Sequence, residues 1–215
     1  MDLLIFDLDG TLIDSRLDLA NSVNATRAHM GMPPLANERV YSYVGNGAPV
    51  LVRRALGPDA AEADVERALE FFLEYYRHHD LDHTVLYPGV AEALDRFHAA
   101  GKRMAVLTNK PVHMSRHIVQ GLGVGHHFFQ VYGGNSFEQK KPNPIGVEAL
   151  VQEAGIAHAD ALMVGDSSVD IQTARNAGIK AAGVTYGFQP ETLADPAPDA
   201  LFDRMQDLAD WVLAG

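Results

Sequence analysis

Carboxylates close two apolar runs of this chain, and their spacing suggests a metal site. Asp7 ends the run that begins at Leu3, and Asp9 follows shortly after it. A second apolar run ends just before Asp166, with Asp170 a little further on. Carboxylates that converge on one point repel each other and stay ionised only when a cation lies between them. Oxygen ligands favour a hard ion, and Mg²⁺ is the usual one beside a phosphate.

Two of these side chains and one backbone group are the predicted ligands. We expect Asp7 and Asp166 to bind Mg²⁺ through their carboxylates and Asp9 to bind it through its backbone carbonyl. Asp170 is expected to lie outside the ligand shell, where it orients a metal-bound water or Lys141.

A carboxylate next to such a cation can do covalent chemistry on phosphorus. Aspartate is a nucleophile that forms an aspartyl phosphate, and we assign this role to Asp7. Asp9 has a side chain that can face the leaving group instead. It is expected to protonate the departing oxygen and then to deprotonate the hydrolytic water.

Residues that can bind phosphoryl oxygens follow the next apolar runs. Thr108 and Lys141 are predicted to hold the equatorial oxygens, because positioning and charge stabilisation carry phosphoryl transfer. Backbone N–H groups around Gly10 and Asn109 would add donors. Lys110 is interpreted as a loop lysine near the phosphate.

The elements that must position these residues alternate along the chain. Short apolar runs, typical of buried parallel strands, cover Leu3–Asp7, Arg103–Thr108, Phe129–Tyr132, Ala161–Gly165, Lys180–Thr185 and Ala200–Phe202. Helical patterns lie between or after them at Val90–Ala100, His113–Leu122, Ile145–Ala154, Ser168–Ala177 and Gln206–Leu213. The alternation predicts an α/β fold with a parallel sheet covered on both faces. Ligands bind beyond the carboxyl ends of such strands, where the polar residues would meet.

One stretch contains no strand pattern. From Asp14 to about His83 the chain shows only helical patterns, at Leu17–Met30, Asn37–Val44, Val50–Leu56 and Ala60–Leu81. An insert of this size directly after the first strand predicts a separate small domain. We therefore expect a core of residues 1–13 and 86–215 and a helical insert of residues 14–85.

Composition limits the partners. The chain has 215 residues, of which 47% are hydrophobic and 21% are charged, so it can bury a core. Its net charge of −11 argues against nucleic-acid binding. It has no cysteine, which removes disulfides, thiolate metal sites and cysteine nucleophiles. No apolar run reaches membrane length, and the acidic start does not resemble a secretory signal. The expectation is a soluble, cytoplasmic protein, monomeric or homodimeric, that acts on a small molecule without nucleic-acid or membrane partners.

Four motifs, in order, resemble those of haloacid-dehalogenase (HAD) superfamily phosphatases. They are FDLDGTLIDS at Phe6–Ser15, LTN at Leu107–Asn109, KPNP at Lys141–Pro144 and VGDSSVD at Val164–Asp170. Together they cover nearly the whole chain outside the insert. The resemblance implies a Rossmann-like core and an all-helical cap domain that opens and closes over the site. It also selects Lys141 over Lys140, which is then expected to be solvated.

Shorter segments resemble the phosphoglycolate phosphatases within this superfamily. They are Val44–Ala48 in the insert, Tyr87–Val90, and Gly133–Pro144. This resemblance implies 2-phosphoglycolate as the substrate. Asn46, Gly47 and Arg53 are the candidate specificity residues, and Arg53 or its neighbour Arg54 would meet the substrate carboxylate. A solvated helix face is the alternative for both arginines.

Other functions stay open. One alternative is a phosphatase of the same superfamily for another sugar phosphate or a nucleotide. Another is a mutase of the β-phosphoglucomutase type. Each of these enzymes would have the same catalytic acids. A phosphorylatable receiver-type signalling module is a non-enzymatic alternative, although receivers have no helical insert after the first strand. Asp9 argues against a dehalogenase, and the absence of any lysine before Lys102 argues against a phosphonatase. The histidines are interpreted as surface or loop residues, at His78, His79, His83, His126 and His127.

Overall fold

The structure is a computed structural model that describes residues 1–214. The strands are β1 (Leu3–Phe6), β2 (Ile13–Asp14), β3 (Val85–Leu86), β4 (Arg103–Leu107), β5 (Gln130–Tyr132), β6 (Ala161–Gly165), β7 (Lys180–Val184) and β8 (Ala200–Phe202). The helices are α1 (Arg16–His29), α2 (Asn37–Tyr41), α3 (Ala48–Leu56), α4 (Glu62–His79), α5 (Val90–Ala99), α6 (Val112–Gly121), α7 (Ile145–Ala154), α8 (Ser168–Ala177) and α9 (Met205–Ala214). Short 3₁₀ helices occupy Gly125–His127, His158–Asp160 and Pro190–Ala194.

Six strands form one parallel sheet, in the order β5-β4-β1-β6-β7-β8. The first strand is central: Phe6 lies opposite Val106 of β4 and Val164 of β6. All four residues of β1 are buried, because helices cover both faces of the sheet. The predicted α/β fold with a parallel sheet is confirmed.

The core is built from the alternating side chains of the central strands. On one face Ile5 and Met163 pack with Leu150 of α7 and Ile171 of α8, all completely buried. On the other face the ring of Phe6 lies 6.1 Å from that of Phe97 of α5. Burying each such side chain contributes about 1.5–3 kcal/mol, which makes the sheet a rigid support for the loops at its edges.

The chain divides into two compact units. One consists of Met1–Asp14 with the chain from Leu86 onward, and the other is the helical segment Ser15–Val85. Within the helical unit α1 packs on α4 and α3. The buried carboxylate of Asp18 accepts hydrogen bonds from the backbone N–H groups of His83 and Thr84, at 2.9 and 2.8 Å. This links the beginning of the helical segment to its end.

All four helices of this unit have limits that differ by one to three residues from those predicted, and two of the differences have a clear local cause. The second helix ends at Tyr41 and not at Val44, because the following turn contains Gly45 and Gly47, whose φ angles of 112° and 84° no longer belong to a helix. The third helix begins at Ala48, before its predicted start, because a proline in the first turn is compatible with helical backbone. Among residues 1–214, no helix combines the length and the apolar character that a membrane span requires.

Candidate active site

The predicted catalytic and metal-binding residues come together at the carboxyl ends of the sheet strands. Asp7, Thr108 and Asp166 directly follow β1, β4 and β6, which are neighbours in the sheet. The backbone N–H of Asp7 donates a hydrogen bond to the carbonyl of Val164 at 2.9 Å, which extends the pairing of β1 with β6 by one residue. The sheet register therefore brings these three side chains to one place.

Lys141 lies between two carboxylates. Its Nζ is 2.9 Å from Oδ1 of Asp7 and 2.6 Å from Oδ1 of Asp170. The Lys141 side chain is only 2% exposed, against 14% for Asp7 and 1% for Asp170. Burial alone would lower the pKa of Lys141, but Asp170 and Asp7 together raise it above its usual value. The ammonium group is therefore a fixed positive charge inside the site.

The carboxylates in the site outnumber this one positive charge. Asp7, Asp166 and Asp170 each offer a carboxylate oxygen within 4.8 Å of the others. Burial raises the pKa of Asp7 to about 6, with Asp170 adding to the rise and Lys141 opposing it. Burial, followed by repulsion from Asp170 and Asp7, raises the pKa of Asp166 to about 8. A cation among these oxygens would remove the repulsion, so the donor set fits a hard, oxygen-binding ion.

The carboxylate of Asp166 is held in a narrow space. It accepts hydrogen bonds from the Thr11 hydroxyl at 3.2 Å and from the Phe188 N–H at 2.7 Å. A Cβ atom at Gly10 or at Gly187 would overlap this side chain. The loop after β7, which contains Gly187 and Phe188, therefore orients Asp166. The sequence carried no signal for Phe188, because its contribution is a backbone N–H.

Asp170 is occupied by protein partners. Its Oδ2 accepts hydrogen bonds from the Ser167 hydroxyl at 2.7 Å and the Ser167 N–H at 3.2 Å, which caps the start of α8. Its Oδ1 faces Lys141. Gly165 has no room for a Cβ atom, which would overlap Asp170. Of the two predicted partners for Asp170, the geometry gives Lys141.

The loop after β4 supplies two of the phosphate-binding candidates, Thr108 and Asn109. Thr108 is buried, and its Oγ1 accepts a hydrogen bond from the Lys110 N–H at 3.3 Å. The Asn109 side-chain amide donates to the backbone carbonyl of Lys141 at 3.2 Å. Asn109 was predicted as a phosphate-binding residue through its backbone. Its side chain connects this loop to the one that carries Lys141.

Lys110 has a larger place in the site than the sequence indicated. It was interpreted as a loop lysine, but its side chain is 4% exposed and its Nζ forms an ion pair with Asp9, 2.9 Å from Oδ1. The signal available in the sequence was its position directly after Thr108-Asn109 at a strand end.

The candidate specificity residues belong to the helical unit. Arg53 of α3 forms an exposed ion pair with Glu62. Arg54 donates a hydrogen bond to the backbone carbonyl of Tyr43 at 3.1 Å. Asn46 and Gly47 lie in the turn before α3. A substrate role for these residues stays a prediction.

The remaining interpretations have mixed outcomes. Lys140 is exposed, as expected. His78 and His79 are also exposed, with 59% and 40% of their side chains accessible. His127 is buried and contacts Asp95, so its interpretation as a surface or loop histidine was wrong.

Comparisons with known proteins agree with this architecture. Residues 4–184 match the family model described as haloacid dehalogenase-like hydrolase. The chain is 40% identical over 220 residues to a phosphoglycolate phosphatase of Vibrio vulnificus, covering 98% of this chain and 96% of that protein. It is 43% identical over 187 residues to a phosphoglycolate phosphatase of Chromobacterium violaceum, covering 85% and 84%.

A solved structure has the same fold. The crystal structure of a predicted phosphoglycolate phosphatase from Haemophilus somnus superposes with a TM-score of 0.92 at 34% identity, covering 98% of this chain and 97% of that one. The chain belongs to the haloacid dehalogenase-like hydrolase family. The predicted family membership and enzyme class are confirmed.

Proposed function

We propose that this protein is a Mg²⁺-dependent phosphatase that hydrolyses 2-phosphoglycolate through an aspartyl phosphate on Asp7. The observation that carries the proposal is the position of Asp7, at the end of the central strand beside the buried ammonium of Lys141 and within 4.8 Å of Asp166. A nucleophilic carboxylate, a fixed cation and further carboxylates are the groups that phosphoryl transfer by an aspartate requires.

Asp7 and Asp166 would hold the metal ion, with the backbone carbonyl of Asp9 as a third ligand. When bound, Mg²⁺ neutralises phosphoryl oxygens and lets a carboxylate approach phosphorus. Asp170 is left to Lys141 and Ser167, which already occupy its two oxygens. These assignments account for each acid of the cluster.

Asp7 attacks phosphorus, the bond to the leaving oxygen breaks, and Asp9 donates a proton to that oxygen. In the second step Asp9 removes a proton from water, which attacks the phosphoryl group and returns Asp7 as a carboxylate. Lys141 and Thr108, with N–H groups near Gly10 and Asn109, hold the equatorial oxygens. Lys110 orients Asp9 through their ion pair.

The substrate assignment rests on two kinds of support. Relatives at about 40% identity over nearly the whole chain carry the name phosphoglycolate phosphatase. The helical unit also contains arginines that can bind a carboxylate, at Arg53 and Arg54. The predicted cytoplasmic location and the choice between monomer and homodimer stay predictions.

Phosphate release from a panel of esters tests the proposal. The panel contains 2-phosphoglycolate, hexose phosphates, nucleoside monophosphates and pyrophosphate, each assayed with Mg²⁺ and with EDTA. The expected result is release that needs Mg²⁺ and has its highest kcat/KM on 2-phosphoglycolate. A Mg²⁺-dependent preference for another ester would remove the substrate assignment and keep the mechanism. No release from any ester would contradict both.

A further inference from the structure

We propose that Asp95, His126 and His127 form a second metal site that binds a borderline transition ion of the Zn²⁺ type. Each of these residues offers one ligand atom, and the three atoms all lie within 4.8 Å of one another. Asp95 comes from α5, while His126 and His127 come from the 3₁₀ helix Gly125–His127. An ion bound here would connect two elements that are far apart in the chain.

The histidine rings are close together. The ring centroids of His126 and His127 are 4.0 Å apart, and Nε2 of His127 is 3.3 Å from Oδ1 of Asp95. His98, near the end of α5, has its ring centroid 5.7 Å from that of His127. Asp95 and His126 are exposed and leave the cluster open to ions from solution.

His127 is largely buried, and one of its ring nitrogens has no protein partner. Its side chain is 4% exposed, and Nδ1 is buried without a hydrogen-bond partner. An unpaired buried polar atom is destabilising. Burial, followed by the neighbouring His126, lowers the pKa of His127. The lowered pKa favours the neutral imidazole, which is the form that binds metals.

The ligand types decide which ion binds. Two imidazoles and one carboxylate are a ligand set that Zn²⁺ accepts, with a remaining position for water. Mg²⁺ prefers oxygen ligands throughout. The cluster should therefore bind a transition ion even in the presence of excess Mg²⁺. Mg²⁺ itself would bind at the catalytic carboxylates.

The two sites lie at opposite ends of the strands of the sheet. The helix α5 leads into the amino end of β4, and the 3₁₀ helix leads into the amino end of β5. The catalytic candidates follow the carboxyl ends of β1, β4 and β6. Because the strands are parallel, their amino ends lie opposite their carboxyl ends, and this cluster is separate from the catalytic carboxylates. An ion that binds only the folded chain would stabilise the protein.

Calorimetric titration with ZnCl₂ tests the site. Tag-free protein is titrated in excess MgCl₂, and its thermal unfolding is recorded with and without Zn²⁺. The wild type should bind one Zn²⁺ per chain and gain thermal stability. H126A should bind about tenfold more weakly or worse, because it loses a ligand, and D95N should behave similarly. Both changes lie on exposed side chains, so the fold is retained, as circular dichroism would verify.

H158A is the matched control. His158 also pairs with a carboxylate, Glu148 at 2.8 Å, but its side chain is 44% exposed and forms part of no such cluster among the described residues. This variant should bind Zn²⁺ like the wild type. Absence of zinc binding by the wild type in excess Mg²⁺, or wild-type affinity in H126A or D95N, would overturn the proposal.

Discussion

The Nζ atom of Lys110 lies 2.9 Å from one carboxylate oxygen of Asp9 and 3.1 Å from the other. Both side chains are largely buried, with 4% of Lys110 and 13% of Asp9 exposed. An ammonium that contacts both oxygens restricts rotation of the carboxylate. Since Asp9 is the proposed acid and base, Lys110 is a positioning residue that acts on catalysis through it.

Replacement of Lys110 by methionine should lower kcat/KM by about a hundredfold, because a misplaced acid–base group loses much of its effect. The pH dependence of kcat should change as well, since Lys110 acts on a group that transfers protons in both steps. K102M is the control, because Lys102 forms a more exposed ion pair with Asp2 at 3.1 Å. A lower melting temperature with an unchanged pH profile would reduce Lys110 to a structural role.

Lys141 and Lys140 form a natural pair for comparison. K141M removes the cation that lies against Asp7 and Asp170. Phosphate release should fall by a factor of about 100 or more, since loss of one electrostatic donor costs roughly 10²–10³ in kcat. K140M changes an exposed neighbour and should keep activity within a few-fold of the wild type. Equal losses in the two variants would contradict the choice of Lys141.

The space around Asp166 predicts the effect of a single methyl group. G10A places a Cβ atom where it overlaps the Asp166 carboxylate, at a residue with φ of +86°. We expect Mg²⁺ affinity, measured by the Mg²⁺ dependence of phosphate release, to weaken by at least about tenfold. G123A is the control: its φ is +77°, but no atom lies within 4 Å of the added methyl.

Both glycine variants carry a backbone penalty of about 1 kcal/mol for alanine at positive φ. Comparison of the two removes this contribution. If G10A and G123A require the same Mg²⁺ concentration, then Asp166 is not the ligand we assign.

Arg53 of α3 allows a test of substrate choice. R53A should raise KM for 2-phosphoglycolate more than for p-nitrophenyl phosphate, which has no carboxylate. The variant should lose less than about 1 kcal/mol of stability, because the Arg53–Glu62 pair is exposed. R67A, which breaks the similar exposed pair of Arg67 with Asp64, should leave both KM values unchanged. Equal effects of R53A on both esters would exclude Arg53 from specificity.

The sheet and its acidic edge could be predicted from sequence because they depend on local patterns. Leu3–Phe6 and Ala161–Gly165 are short, continuous apolar runs, which are typical of strands covered on both faces. The parallel arrangement then places Asp7 and Asp166 at one edge. Pattern and topology together were sufficient for this part of the site.

Contacts made by backbone groups and by distant loops could not be predicted. Phe188 reaches Asp166 through its N–H, which any residue but proline possesses. Lys110 joins Asp9 across two loops, and its position after Thr108-Asn109 placed it near the site without indicating this partner. His127 is buried among residues of another helix for the same reason. The contacts of these three residues depend on tertiary packing.

The covalent role of Asp7 can be tested by acid quench during turnover. Wild-type and D9N protein would be mixed with 2-phosphoglycolate and Mg²⁺, quenched, digested and measured by mass spectrometry, with D7N as the control. The mechanism predicts one added phosphoryl group on the peptide that contains Asp7, more abundant in D9N because the second step lacks its base. Phosphate release without this adduct, or an adduct that persists in D7N, would contradict the assignment of Asp7 as the nucleophile.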